Sequence, residues 1–371
     1  MLYTALWAAL VPYCLVVAAC AFLFTRAARR RRSPAVSDCH GRLPLSVVIC
    51  TCDADAAACA ANMRSVVLRL RPADSLIVVA DHVSARSLDL LRRAAADCGG
   101  GVRVAENDGP RGKKGAQRTG VRMATGDVVV SVDADCRVGG RFADAVREAA
   151  GEFGGKPFML LLPVEMRADG SFLGRLMELE FGCLQVVTAG TALAGNPTMA
   201  NGAGMAFVKS LYEGHDARPA YASGDDMFLL AHALREGAPV RYLPAREAVV
   251  SSVVPSGLGA YLRQRTRWLA KAGGYRSVGV IALALAVFVA VMSWPVAVVA
   301  AIGGLASWGA VALLFAVKLM ADASACAAWL FFRRGLAGLK YLWLSLPLEL
   351  VYPLMTAVVA CRAAVADRQR W

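Results

Sequence analysis

Two aspartates that follow a short apolar run have the types and spacing to do chemistry. Residues 128–132 are mostly apolar, and Asp133 and Asp135 come directly after them. In an extended chain alternate side chains share a face, so these two carboxylates are expected to point the same way. Mg²⁺ and Mn²⁺ are commonly bound by a few carboxylates together with substrate phosphates. The pair is therefore either a cation site at the end of a strand or an acidic turn, and its surroundings must decide.

The elements around this pair predict an α/β domain. From residue 44 to about 250, short apolar runs alternate with helical patterns such as residues 57–70 and 85–96. Such alternation predicts βαβ units and a mostly parallel sheet with helices on both faces, and ligands bind beyond the carboxyl ends of its strands. No GxGxxG follows the first strand, which argues against a dinucleotide site. The predicted strands are residues 45–50, 75–80, 102–105, 127–133, 158–163, 205–208 and 240–243.

Composition and the N-terminal segment indicate a membrane protein. Of the 371 residues 57% are hydrophobic, and residues 1–24 are continuously apolar, long enough to span a bilayer. The basic residues follow this run rather than precede it, which favours a retained anchor with its C-terminal side in the cytoplasm. These basic residues are Arg26, Arg29, Arg30, Arg31 and Arg32.

The C-terminal part is apolar again. Three spans are predicted after Arg276, with four as the alternative, and Lys318 and Asp322 are one helical turn apart, as an ion pair requires. The apolar blocks are residues 278–293, 295–317, 321–332 and 342–360. We therefore expect a multi-pass protein of the inner or plasma membrane with a cytoplasmic α/β domain. Its predicted parts are an anchor (1–25), an α/β domain (44–256), an amphipathic interface helix (257–273) and C-terminal transmembrane helices (277–361).

Charge and cysteine content restrict the partners. The formal net charge of +13 is typical of proteins that bind a membrane surface or phosphates. No RNP-like motif or zinc-finger spacing indicates nucleic acid as a partner. The 11 cysteines are scattered without a CxxC motif, which predicts free thiols in a reducing compartment.

Further polar residues follow or open the predicted elements. Asp81 ends the second strand at the same edge as Asp133, where it could accept hydrogen bonds from a base or ribose, or lie in a solvated loop. Lys113 and Lys114 open a predicted helix, whose N–H groups favour a diphosphate; a plain basic helix start is the alternative.

A pair of acids and a basic helix complete the candidates. Ser223 is a predicted N-cap, followed by Asp225 and Asp226 before a helix from residue 227 to about 234. The positive helix end favours an ionised Asp226, which suits a general base, although a capped helix alone explains the pattern. In residues 257–273, basic side chains recur every four positions and indicate a helix at the membrane surface, where substrate contact is also compatible. Arg263, Arg267 and Lys271 form the basic stripe, and Gln264 and Trp268 are likewise one turn apart.

Four motifs in order resemble those of membrane-bound family 2 glycosyltransferases. They are Asp81, the DxD motif Asp133-Ala-Asp135, Gly224-Asp-Asp226 and the QxxRW motif Gln264-Arg-Thr-Arg-Trp268. That group includes cellulose, chitin and hyaluronan synthases and ceramide glucosyltransferase, and the resemblance covers about residues 44–272. It implies a GT-A fold, a nucleotide-sugar donor such as a UDP-sugar, Mg²⁺ or Mn²⁺, and inversion at the anomeric carbon.

The resemblance also implies residue roles. Asp81 is expected to contact the nucleotide base, Lys113 the diphosphate, and Asp133 and Asp135 the donor and its metal. Asp226 is the expected general base. The diphosphate and the acceptor end are assigned to Asp225, Gln264, Arg265, Arg267 and Trp268.

Two departures from the family pattern and the acceptor leave alternatives open. Asp53 stands where an Asn-Glu pair is common, and Gly-Asp-Asp replaces a common Glu-Asp, so the shares of Asp225 and Asp226 are open. The roughly 95 residues after the basic helix leave room for three or four spans. This small membrane portion favours a lipid or lipid-linked acceptor. The alternatives are a processive polysaccharide synthase, with or without an accessory membrane subunit, and a non-catalytic membrane scaffold.

Overall fold

The structure, a computed structural model, describes residues 2–30, 43–215, 224–270 and 278–365. The chain divides into two compact units. A helical unit contains Met1–Arg29, Met166–Thr198 and Val254–Arg368, and a sheet unit contains Arg30–Glu165 and Met199–Val253.

The described strands form two sheets. A seven-stranded sheet has the order β3-β2-β1-β4-β8-β6-β9, and a three-stranded sheet has the order β5-β10-β7. In chain order the strands are β1 (Leu45–Thr51), β2 (Ser75–Ala80), β3 (Val102–Glu106), β4 (Val128–Asp133), β5 (Arg137–Val138), β6 (Met159–Leu161), β7 (Val164–Arg167), β8 (Met205–Val208), β9 (Val240–Tyr242) and β10 (Val250–Val253).

The large sheet is mixed but mostly parallel, which confirms the predicted fold class. Strand β1 pairs in parallel with β2 and β4, β2 with β3, and β6 with β9, whereas β8 runs antiparallel to β4 and β6. All six residues of β2 are buried, as expected for a strand covered on both faces. Cys50 pairs with both Val79 and Asp133, so β2 and β4 end at the same edge of the sheet.

The helices divide between the two units. In chain order they are α1 (Leu2–Arg30), α2 (Ala56–Val67), α3 (Ala85–Asp97), α4 (Lys113–Met123), α5 (Phe142–Gly151), α6 (Phe172–Leu193), α7 (Lys209–Glu213), α8 (Asp225–Arg235), α9 (Gly257–Ala270), α10 (Val278–Ile302), α11 (Trp308–Arg334) and α12 (Ser345–Ala364). Helix α8 begins two residues earlier than predicted, and its cap is Gly224 in the left-handed region with φ 98°. Ser223, the predicted cap, lies outside the described residues.

Four stretches of the described residues are long and apolar enough to cross a membrane. One of them, α6, was not predicted, because its charged residues dilute the apolar pattern within the predicted α/β domain. The predicted block boundaries near residues 294 and 320 fall inside the continuous helices α10 and α11. The stretches are Thr4–Arg30, Phe172–Leu193, Ala284–Ile302 and Trp308–Ala364, the last of which contains α11 and α12.

A buried polar network connects four helices of the helical unit. The predicted pair is confirmed: Lys318 Nζ lies 2.6 Å from Asp322 Oδ2 on α11, and it also lies 2.9 Å from Glu349 Oε2 on α12. Tyr13 of α1 donates to Asp322 at 2.6 Å, and Trp294 of α10 donates to Glu349 at 3.0 Å. Because each carboxylate accepts from two donors, the network satisfies polar groups that would be costly to bury alone.

Candidate active site

The first aspartate of the DxD motif is held by a lysine. Asp133 is the last residue of β4, and Lys113, the first residue of α4, places its Nζ 2.6 Å from Asp133 Oδ1. Asp135 lies in the turn after the strand, so the alternation that predicted a shared face ends at Asp133. Although Asp135 is exposed, partial loss of its hydration and then the charge of Asp133 raise the pKa of its carboxyl group.

Lys113 is surrounded by three carboxylates. Burial alone would lower the pKa of its ammonium group, but Asp133, Asp225 and Asp226 together raise that pKa well above the ordinary value. Gly202 lies against the same group: a Cβ at this position would be 3.1 Å from Lys113 Nζ and 3.6 Å from Asp225 Oδ2. We call Lys113, Asp133, Asp225 and Asp226 the Lys113 cluster.

The two acids of α8 differ in exposure and partners. Asp226 is half-buried, and its carboxylate accepts from the N–H groups of Gly202 at 3.1 Å and Met227 at 2.8 Å. Asp225 is only 4% exposed, and its Oδ2 has no hydrogen-bond partner among the described residues. Both lie in the first turn of the helix, where the backbone N–H groups favour negative charge.

Asp81 organises the loop in front of α4. Its Oδ1 accepts from Asn107 Nδ2 at 2.7 Å, and its Oδ2 accepts from the N–H of Gly112 at 2.8 Å. Because Gly112 immediately precedes Lys113, this carboxylate helps to place the lysine at the edge of the sheet. Asn107 was not among the predicted residues. It directly follows β3, and its polar type at the end of a strand could have indicated it as a candidate site residue.

Asp53 performs a similar local task in another loop. Its Oδ1 accepts from both the N–H and the hydroxyl of Ser84, at 2.9 and 2.8 Å. Ser84 caps α3, so Asp53 connects the loop after β1 to the start of that helix.

The carboxylate oxygens at the sheet edge are suitable ligands for a hard cation that is also coordinated by a substrate. Among the described residues no group of three or more His, Cys, Asp or Glu side chains could hold a metal unaided. Asp133 and Asp135 supply oxygen ligands, which Mg²⁺ and Mn²⁺ prefer, and these ions commonly complete their coordination with phosphates and water. Loss of hydration and then the charge of Asp133 raise the pKa of Asp135, and a bound cation would favour the ionised form of this carboxyl group.

The basic helix of the helical unit places its residues on different faces. Residues 257–270 form α9, within the range 257–273 given for the interface helix, whereas Lys271 lies outside the described residues. Arg265, expected at the diphosphate or acceptor, is 8% exposed and forms an ion pair with Glu180 of α6. Arg267 is exposed, while Gln264 and Trp268 are half-buried, and Gln264 Oε1 accepts from Arg265 at 3.1 Å.

A solved structure shares the fold over the whole chain. It is the mannosyltransferase PcManGT from Pyrobaculum calidifontis in complex with GDP-Man and Mn²⁺, with a TM-score of 0.56 and 20% identity, covering 99% of each chain. At this identity the likeness shows the fold alone, and the predicted GT-A fold is confirmed.

Two sequence relatives are N-acetylglucosaminyltransferases. The one from Sinorhizobium fredii (strain NBRC 101917 / NGR234) is 29% identical over 175 residues, covering 42% of this chain and 40% of the relative. The one from Rhizobium sp. (strain N33) is 29% identical over 169 residues, covering 42% of this chain and 36% of the relative. The chain thus spans well under half the length of these relatives.

A family model matches a longer part of the chain than either relative does. The family described as "Glycosyltransferase like family 2" matches residues 42–270, more than half of the chain and the whole stretch that contains the four motifs. This protein belongs to glycosyltransferase family 2.

Proposed function

We propose that this protein transfers a sugar from a nucleotide-sugar donor to a membrane lipid or lipid-linked acceptor, with inversion at the anomeric carbon. The observation that carries the proposal is the Lys113 cluster, in which three carboxylates surround one ammonium group at the carboxyl edge of the sheet. Such a negative surplus suits a site that receives a divalent cation together with a diphosphate.

The donor would be held by the sheet unit. Asp133 and Asp135 would hold Mg²⁺ or Mn²⁺, which offsets the charge that develops on the departing nucleoside diphosphate. Lys113, at the start of α4, would contact the diphosphate, where the helix N-terminus also favours an anion. Asp81 would hold the loop before α4 and border the base.

Asp226 would be the general base. Its two N–H partners stabilise the ionised carboxylate, and its partial exposure leaves room for an acceptor hydroxyl to approach. Once Asp226 accepts the hydroxyl proton, the acceptor oxygen attacks the anomeric carbon as the nucleoside diphosphate leaves, which inverts the configuration in one step. Asp225, the buried neighbour of Asp226 in the first turn of α8, would add negative charge to the site.

The acceptor is proposed from the helical unit. Helix α9, with Gln264, Arg267 and Trp268, packs against α6 and α12, which are both within stretches long and apolar enough to cross a membrane. These three residues would therefore meet an acceptor carried by lipid, in a multi-pass protein of the inner or plasma membrane. A processive polysaccharide synthase, with or without an accessory subunit, is the second candidate, and a non-catalytic scaffold is the third.

The sugar is proposed from the relatives. Because two of them are N-acetylglucosaminyltransferases, UDP-N-acetylglucosamine is the first donor to test. Purified protein in detergent would be incubated with Mn²⁺, a lipid extract and a panel of nucleotide sugars. Release of nucleoside diphosphate from one donor supports the proposal, and no release from any donor favours the scaffold. The length of the radiolabelled product distinguishes one transfer from polymerisation.

A further inference from the structure

A buried acid on α6 holds the basic residue at the centre of α9. The carboxylate of Glu180 pairs with the guanidinium of Arg265, and the two side chains are only 6% and 8% exposed. The pair belongs entirely to the helical unit. Glu180 lies outside the four motifs, within the helix that sequence patterns did not predict.

Aromatic rings complete the setting of Arg265. Its guanidinium carbon lies 4.2 Å from the ring centroid of Trp268 and 4.7 Å from that of Tyr261. Phe181, next to Glu180 on α6, places its ring 6.0 Å from that of Trp268. A planar guanidinium can stack on rings and pair with a carboxylate at once, so Arg265 connects Trp268 to Glu180.

The spacing along α9 gives this contact a consequence for its neighbours. Tyr261, Arg265 and Trp268 follow helical spacing and so share one face of α9, where Arg265 contacts Glu180 and Trp268 contacts Phe181 of α6. Gln264 and Arg267 lie beside that face, so their directions are set by the rotation of the helix about its axis. Removal of one partner from a buried ion pair leaves an uncompensated charge, so the pair favours one rotation over others.

We propose that Glu180 is a positioning residue for the acceptor: through Arg265 it fixes the rotation of α9 and hence the directions of Gln264, Arg267 and Trp268. The inference rests on the proposed function, because it takes these three residues as the acceptor contacts. It assigns Arg265 itself to holding the helix rather than to contacting the diphosphate.

The same helix offers a matched control. Glu178, two residues away on α6, pairs with Arg334 of α11 at 2.7 Å, and the side chain of Arg334 is 42% exposed. The substitution Glu178→Gln therefore breaks an ion pair of the same type on the same helix. This pair does not involve a residue of α9, so its loss leaves the contact between Glu180 and Arg265 intact.

The decisive experiment compares Glu180→Gln, Glu178→Gln and the unchanged protein in two assays. One measures transfer to acceptor, and the other measures the slow release of nucleoside diphosphate to water without acceptor. We expect Glu180→Gln to raise the acceptor KM or lower transfer by about tenfold or more, since Arg265 loses its buried charged hydrogen-bond partner. Release to water should be unchanged, and Glu178→Gln should match the unchanged protein in both assays.

Two further measurements separate positioning from general damage. The double variant of Glu180→Gln and Arg265→Met should lose less transfer than the two single losses combined, because the two residues share a contact. Hydrogen exchange in residues 257–270 should rise in Glu180→Gln and not in Glu178→Gln. Equal transfer in Glu180→Gln and the unchanged protein would overturn the inference, as would an equal loss of release to water. If the unchanged protein releases no nucleoside diphosphate from any donor, the proposed function fails first and the acceptor role with it.

Discussion

The Lys113 cluster of the sheet unit and the pair of Glu180 with Arg265 in the helical unit use buried charge in opposite ways. In the cluster, three carboxylates surround one ammonium, and Asp225 Oδ2 lacks a hydrogen-bond partner among the described residues. In the pair, one carboxylate meets one guanidinium, with aromatic rings around it.

The difference in charge balance distinguishes a site that binds a ligand from a pair that holds two helices together. Burial of an unbalanced set of charges is costly, and the cost is recovered when a ligand of opposite charge arrives. A balanced pair needs no ligand and instead favours one arrangement of the elements that carry it. We therefore propose that the sheet edge binds the ligand, whereas the pair on α6 and α9 fixes the placement of these helices.

The largest effect is expected at the proposed base. Asp226→Asn keeps the size of the side chain but cannot accept a proton, so turnover should fall by about 10²–10⁴-fold. Donor binding should be retained, because the base acts on the acceptor hydroxyl. Initial rates and equilibrium binding of the nucleotide sugar check both parts, and loss of binding would remove Asp226 from the role of base.

The stability of two variants tests the comparison directly. Glu180→Gln leaves Arg265 buried without its counter-charge and should lower the free energy of unfolding by about 3–5 kcal/mol. Asp225→Asn removes one of the three carboxylates that surround the single ammonium of the Lys113 cluster. It should raise the free energy of unfolding by about 1 kcal/mol, because less uncompensated charge is buried. Thermal unfolding in the same detergent measures both. Shifts of the same sign would show that the two regions do not differ as proposed.

An intermediate effect is expected at Lys113. Lys113→Met removes the ammonium that contacts Asp133, so the affinity for the nucleoside diphosphate should fall about 10–100-fold. Calorimetric titration with the diphosphate and Mn²⁺ measures it. Lys114→Met is the neighbouring control, since Lys114 instead lies over the ring of Phe228; an equal loss there would contradict a specific role for Lys113.

The smallest effect is expected at Gly202. A methyl group at this position would be 3.1 Å from Lys113 Nζ, a flexible side-chain end that can shift by a few tenths of an ångström. Gly202→Ala should therefore raise the donor KM by no more than about tenfold, less than Lys113→Met does. Gly100→Ala, where a methyl group meets no atom within 4 Å, is the matched control in the same kinetic assay.

Local patterns predicted most of the sheet unit. Buried parallel strands are continuous apolar runs, so β2 and β8 were predicted at their observed bounds and Asp133 at the end of its strand. Sequence spacing did not predict Asn107 or Gly202, because their positions depend on contacts between distant loops.

The helical unit was harder to predict. Helix α6 carries Arg175, Glu178 and Glu180, and these charges interrupt the apolar pattern by which a buried helix is predicted. Glu180 and Glu178 are paired with Arg265 and Arg334 on other helices, which the sequence pattern does not indicate. Arg265 was assigned to substrate from its place in the QxxRW motif, whereas its partner is 85 residues earlier in the chain. A contact at that separation leaves no periodic signal.

Binding of Mn²⁺ in the presence of a nucleoside diphosphate tests the central claim most directly. Free Mn²⁺ would be measured by electron paramagnetic resonance with the unchanged protein, Asp133→Asn and Glu178→Gln. The account predicts that the unchanged protein and Glu178→Gln bind about one ion and that Asp133→Asn loses this binding. Equal binding by all three proteins would show that the surplus of carboxylates at the sheet edge is not the site that receives the cation and the donor.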